Sequence, residues 1–113
     1  MKDIKIKDKT YSLYLSSKQV EMVENEMGMD IMTAVEKCPT STKFFRLVLQ
    51  GSLVAKHESL LEDMDIHNFI DEMQQDGWSV EKKIELIVDV LSDAGFMKLP
   101  KKVRKQMKAA QGN

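Results

Sequence analysis

Three times in this chain a glycine followed by a large apolar residue closes a stretch of helical periodicity: Gly28-Met29, Gly77-Trp78 and Gly95-Phe96. A glycine just past a helix adopts the left-handed conformation that turns the last carbonyls back into hydrogen bonds, and the next residue folds down onto the final turn. Such stops predict short, well-punctuated helices with little loop between them. Nothing in this plan holds a reactive group. The residues describe a compact helical module that works by binding.

Upstream of the first stop the pattern changes. Ile4 and Ile6 point one way, and after the polar break Lys7-Asp8-Lys9-Thr10 a second period-two series follows in Tyr11, Leu13 and Leu15. This predicts a β-hairpin, or a single strand with a ragged partner, that must lie on helices to be stable. Ser16 to Gln19 has capping-box spacing and opens a first helix ending at Gly28. Val20, Val23 and Met27 form its apolar stripe, and Met22 falls on the opposite side. Asp30 caps a short second helix through Ile31, Ala34 and Val35, halted by Cys38-Pro39.

Ser41 opens the third helix, in which Lys43, Arg46 and Gln50 share one narrow arc while nearly every other direction is apolar. This helix, about residues 41–57, is the expected buried centre of the fold. Gly51 inside it costs about 1 kcal/mol relative to alanine, which points to close approach by a neighbouring element. The polar segment from His57 to Met64 reads either as continued helix or as a loop around Leu60-Leu61. Asp65 caps a fourth helix with a stripe of Ile66, Phe69, Ile70 and Met73, and Trp78 is placed to touch Met73 across the Gly77 stop. Ser79 caps a fifth, whose main face is Val80, Ile84, Ile87, Val88, Leu91 and Ala94. Leu86 and Val90, four apart, add a second apolar flank, and Glu85, Asp89 and Asp93 mark the wet side. The expected class is mainly α: a compact bundle of about five short helices with a small N-terminal β-hairpin or strand.

Apolar residues make up 42% of the chain and charged residues 31%, a balance that suits a soluble helical domain with wide solvated faces. No apolar run approaches the roughly 20 residues needed to span a bilayer, and Met1-Lys2-Asp3-Ile4-Lys5 carries no signal segment, so the expected location is the cytoplasm. The single cysteine, Cys38, excludes an internal disulfide and fits a reducing compartment. A net charge of −1 hides a split: residues 1–95 hold 11 Lys/Arg against 18 Asp/Glu, or −7, while residues 96–113 hold 6 Lys/Arg and no acid, or +6. The expected organisation is a single helical domain over 1–96 and a basic C-terminal tail over 97–113. Leu99, Val103 and Met107 recur every fourth residue behind Pro100, as in a basic amphipathic helix too short to be stable alone in water. Such a tail is either a solvated end or a segment that folds on an acidic partner or back onto the acidic body.

Catalytic and metal chemistry find no foothold. Cys38 has no adjacent base and is followed by Pro39, which reads as a small, partly buried thiol. Asp63, Asp65 and His67, with His57, Glu58 and Glu62 upstream, match no compact zinc motif. A calcium loop starting at Asp63 would need glycine at Asn68 and glutamate at Gln74. The fourth and fifth helices imitate a helix-turn-helix, but Glu81, Glu85, Asp89 and Asp93 against Lys82 and Lys83 would repel phosphates. No catalytic residue, metal ligand or cofactor is assigned, and neither nucleic acid nor membrane is an expected partner. Met22, Met27, Met29 and Met32 cluster closely, and core filling is the default for all but Met22, whose side of its helix is otherwise polar. The candidate partner-binding residues are Met22, Leu86 and Val90 in the body, where they could also serve self-association, and Lys101, Lys102, Arg104 and Lys105 in the tail.

The order of these signals is itself informative. Lys9-Thr10-Tyr11-Ser12-Leu13-Tyr14-Leu15 precedes Val20-Glu21-Met22-Val23-Glu24-Asn25-Glu26-Met27-Gly28-Met29-Asp30-Ile31, followed by the serine-capped helix from Ser41 to Ala55, the segment Phe69-Ile70-Asp71-Glu72-Met73, and the closing Ile84 to Gly95 helix. This series resembles the small tail assembly chaperones of long-tailed bacteriophages and prophages, and their gene-transfer-agent relatives, over residues 8–96. The resemblance implies a mostly helical bundle with a small N-terminal β element. It also implies a non-catalytic role: holding the long, aggregation-prone tape measure protein in the host cytoplasm while tail tube subunits polymerise around it. The chaperone would be absent from the finished virion, and a longer frameshifted form is common in that family. Two other readings compete, namely a small regulatory adaptor docking on a protein through its basic tail, and a nucleic-acid accessory protein using the tail alone.

Overall fold

Every helix begins at a side chain that replaces a missing backbone acceptor. In the computed structural model, which describes residues 1–97, α1 spans Ser17–Met27, α2 Ile31–Lys37, α3 Thr42–Asp63, α4 Ile66–Gln75 and α5 Val80–Asp93. Ser16 Oγ accepts from the Gln19 N–H, Asp30 Oδ1 from Thr33 at 2.8 Å, Ser41 Oγ from Phe44 at 3.1 Å, Asp65 Oδ1 from His67 at 2.9 Å, and Ser79 Oγ from Lys82 at 3.2 Å. Hydrogen bonding, chiefly from the Thr33 backbone, holds the Asp30 carboxyl below the usual carboxylate value. Its support of α2 is therefore full above that usual value and is lost as the pH falls through the lowered one.

The glycine stops behave as their sequence dictates. Gly28, Gly77 and Gly95 have φ of 69°, 93° and 85°. The apolar residue after each reaches back five positions: Met29 donates to the Glu24 carbonyl at 3.3 Å, Trp78 to Met73 at 3.0 Å and Phe96 to Leu91 at 2.9 Å.

The N-terminal alternation is a hairpin. β1, Lys2–Ile6, and β2, Lys9–Leu13, pair antiparallel with Ile4 opposite Tyr11. Lys7 in the two-residue turn has φ 55°, a left-handed conformation costing a non-glycine residue about 1 kcal/mol. Its N–H donates to Asp76 Oδ2 at 3.0 Å, which fixes the turn against the end of α4. The outer edge of β2 is covered by α3, where Ser12 N–H donates to His57 Nε2 at 3.1 Å and Tyr14 N–H to the Ser52 carbonyl at 2.9 Å. At His57 the helix leaves its regular path, with φ −131° and ψ 32°, and then continues to Asp63. The segment from His57 onward, open between helix and loop in the sequence, is thus kinked helix. The kink lies where the strand edge draws on Ser52 and His57, and the Ser52 hydroxyl bonds back to the Val48 carbonyl at 2.6 Å one turn earlier.

α3 is the centre, as its apolar circumference predicts. It packs against α1, α4, α5 and β2, and Phe44, Leu49, Ser52 and Leu53 on it are fully buried. α5 packs on α3 and also touches β1.

Burial corrects the reading of α5. Leu86 and Val90 are not a free flank: only 4% and 1% of their surfaces are exposed, and both belong to the core. Of the charged residues expected on the wet side, Asp93 is exposed and Glu85 half-buried, but Asp89 is buried and its Oδ2 pairs with Lys2 Nζ of β1 at 3.2 Å. Met32 departs from expectation in the other direction. It is exposed, whereas Met27 and Met29 pack partly against the core.

Candidate partner-binding groove

Gly51 on α3 lies against Leu15 and against Gln19 of α1. A Cβ there would stand 3.0 Å from Leu15 Cδ1 and 3.3 Å from Gln19 Cβ, so the glycine permits the approach that its position in the sequence signalled. Beside this contact the two helices leave an open groove of about 620 Å³. α1 contributes Lys18, Gln19, Met22, Val23 and Glu26, and α3 contributes Arg46, Leu47, Gln50, Gly51 and Val54, followed past the kink by Glu58 and Leu61. Their spacings of three and four residues mean that each helix turns one continuous face into the groove.

The chemistry of that face is mixed. Met22 is 52% exposed, and Leu47, Val54 and Leu61 are half-buried. Lys18 and Arg46 balance Glu26 and Glu58 around the groove, so no single sign of charge dominates. An unbranched thioether adapts to irregular surfaces at little cost, and a channel between two helices suits the apolar face of a third. The groove holds no nucleophile with a base, and Cys38, half-buried after α2, is not among its residues.

No known family, curated protein or solved structure matches this chain. The groove is therefore read from its own residues.

Of the residues that the sequence nominates, Met22 lies in the groove, Leu86 and Val90 lie in the core, and Lys101, Lys102, Arg104 and Lys105 fall outside the described residues. The sequence did not single out Arg46, Leu47, Gln50, Val54 and Leu61 as site residues. A signal was present, since the polar arc of Lys43, Arg46 and Gln50 marks a side of α3 that the fold does not wrap. Lys83 is perturbed elsewhere: burial pushes its ammonium below the usual value, opposed by the nearby Asp71 carboxylate. It donates to Gln74 Oε1 and lies 5.5 Å from the centre of the Phe45 ring, which ties α5 to α4 and α3. Among the described residues no three His, Cys, Asp or Glu side chains are grouped to hold a metal ion, and no helix is long and apolar enough to cross a membrane.

Proposed function

We propose that this chain is a non-catalytic protein-binding module, a phage tail assembly chaperone that seats apolar helical stretches of the tape measure protein in the α1–α3 groove. The observation that carries the reading is Met22, half exposed on an otherwise polar helix side and placed over a groove lined by two helices. A holding protein needs apolar surface that accepts many helical sequences, and a methionine among half-buried aliphatics supplies it without a shaped pocket. Size argues for repetition. The α3 side of the groove runs from Arg46 to Leu61, about 22 Å of helix, so one copy covers only a few turns of a long client. One copy would grip weakly, and a long client would be coated by many copies that the polymerising tube displaces one by one. The proposed setting is the host cytoplasm before the tail is complete, with the chaperone left out of the finished particle.

Co-expression tests this. A helical, apolar segment of the tape measure protein from the genome encoding this chain should aggregate alone, and should stay in solution and co-purify when the chain is present. Equal precipitation with and without the chain would overturn the proposal.

A further inference from the structure

The two edges of the hairpin meet different surroundings. β2 faces α3, and its outward N–H groups at Ser12 and Tyr14 are taken by His57 and Ser52. In an antiparallel ladder, two residues opposite one another turn their backbone groups either both inward or both outward, and the two cases alternate. Ser12 lies opposite Asp3, and Thr10, two residues before it, lies opposite Lys5. The outward turn of Ser12 therefore sets that of Asp3 and Lys5, whose N–H and C=O groups point away from β2 along the other edge of β1. Among the described residues no hydrogen bond reaches those groups, and both residues are exposed. An open edge of this kind is a template for another strand.

That edge is complementary to itself. We infer that β1 pairs antiparallel with β1 of a second copy of this chain, about a two-fold axis at Ile4, and joins the two hairpins into one sheet. Only outward-turned residues can bond across the new seam, and within β1 these are Asp3 and Lys5. A register centred on Asp3 sets Asp3 against Asp3, and one centred on Lys5 sets Lys5 against Lys5. The register centred on Ile4 sets each Asp3 against Lys5 of the second copy, so the backbone bonds close with unlike charges side by side on the exposed face. Such cross-strand pairs contribute about 0.2–1 kcal/mol each and like charges oppose pairing, so sign selects the register. The outer edges of the joined sheet are those of β2, which α3 already covers, so assembly stops at two copies. No residue of β1 lines the α1–α3 groove, and the pairing stands apart from the chaperone reading.

Sedimentation equilibrium of the full chain, with amide hydrogen exchange followed over a range of protein concentrations, tests it. The chain should dimerise reversibly, and exchange at the Asp3 and Lys5 amides should slow as the dimer fills, while that at Asp8 in the turn stays unchanged. Asp3→Lys alone, or Lys5→Asp alone, sets like charges together at both pairs and should raise the dimer dissociation constant about tenfold. Asp3→Lys combined with Lys5→Asp makes the pairs unlike again and should restore the parental value. That restoration separates pairing across the seam from the bond that Ser12 Oγ donates to Asp3 Oδ1 within one hairpin, which the double swap does not return. A chain that stays monomeric at millimolar concentration would overturn the inference. So would a dimer that leaves the Asp3 and Lys5 amides exchanging as before, or one that the single substitutions do not weaken.

Discussion

Leu86→Asp combined with Val90→Asp unfolds the domain. Each side chain is in the core, so each substitution removes aliphatic contact and puts a carboxylate where water is excluded, at a cost of about 4 kcal/mol or more. The two new charges sit four residues apart on one helix face, beside the buried Asp89, and repel one another. Together they consume most or all of the roughly 5–15 kcal/mol that holds a domain of this size. Far-UV circular dichroism should find no cooperative thermal transition, or the protein should fail to accumulate in solution. Met22→Asp provides the contrast, because Met22 is exposed and its loss should change stability by no more than about 0.5 kcal/mol. A double mutant that melts cooperatively, within about 1 kcal/mol of the parent, would show that this flank is not core.

Gly51→Val has the next largest effect, and Gly51→Ala very little. An alanine Cβ at 3.0 Å from Leu15 Cδ1 needs only a small shift of a flexible side-chain tip, and the gain of about 1 kcal/mol in helix propensity offsets it. Valine adds two methyl groups with one preferred rotamer at a point where Leu15 and Gln19 already press on α3. Overpacking of this kind costs about 2–3 kcal/mol, which lowers the melting temperature of a domain this size by about 10 °C or more. It should also force α1 away from α3 and reshape the groove. Equal melting temperatures for the alanine and valine variants would mean that the helices do not meet at Gly51.

What the sequence discloses here is local. A cap is one side chain and the N–H two or three residues on, and a glycine stop is one left-handed residue and the carbonyls behind it. Ser16, Asp30, Ser41, Asp65 and Ser79 therefore mark the helix starts, as Gly28, Gly77 and Gly95 mark the stops. The buried centre is legible for the same reason, since the apolar circumference of α3 is written in its own residues. The fate of Leu86 and Val90 is not written in α5. It depends on elements distant in sequence, and Lys2, more than eighty residues earlier, reaches Asp89 and makes a charged position compatible with burial. The kink at His57 likewise depends on the donors of β2. The groove is only half legible: Met22 stands out against a polar helix side, but the α3 residues facing it become a site only through the packing of two helices around Gly51.

Methionine methyl signals test the binding account most directly. With the Met ε-methyl groups ¹³C-labelled, Met22 reports the α1–α3 groove, Met64 a separate hollow beside Tyr11, Leu60 and Phe69, Met32 an exposed position in neither, and Met73 the core. Titration with an amphipathic tape measure segment should shift or broaden Met22 first and leave Met32, Met64 and Met73 in place. A segment that binds while Met22 stays unmoved, or that moves Met32 or Met64 in its stead, would contradict the groove as the binding site.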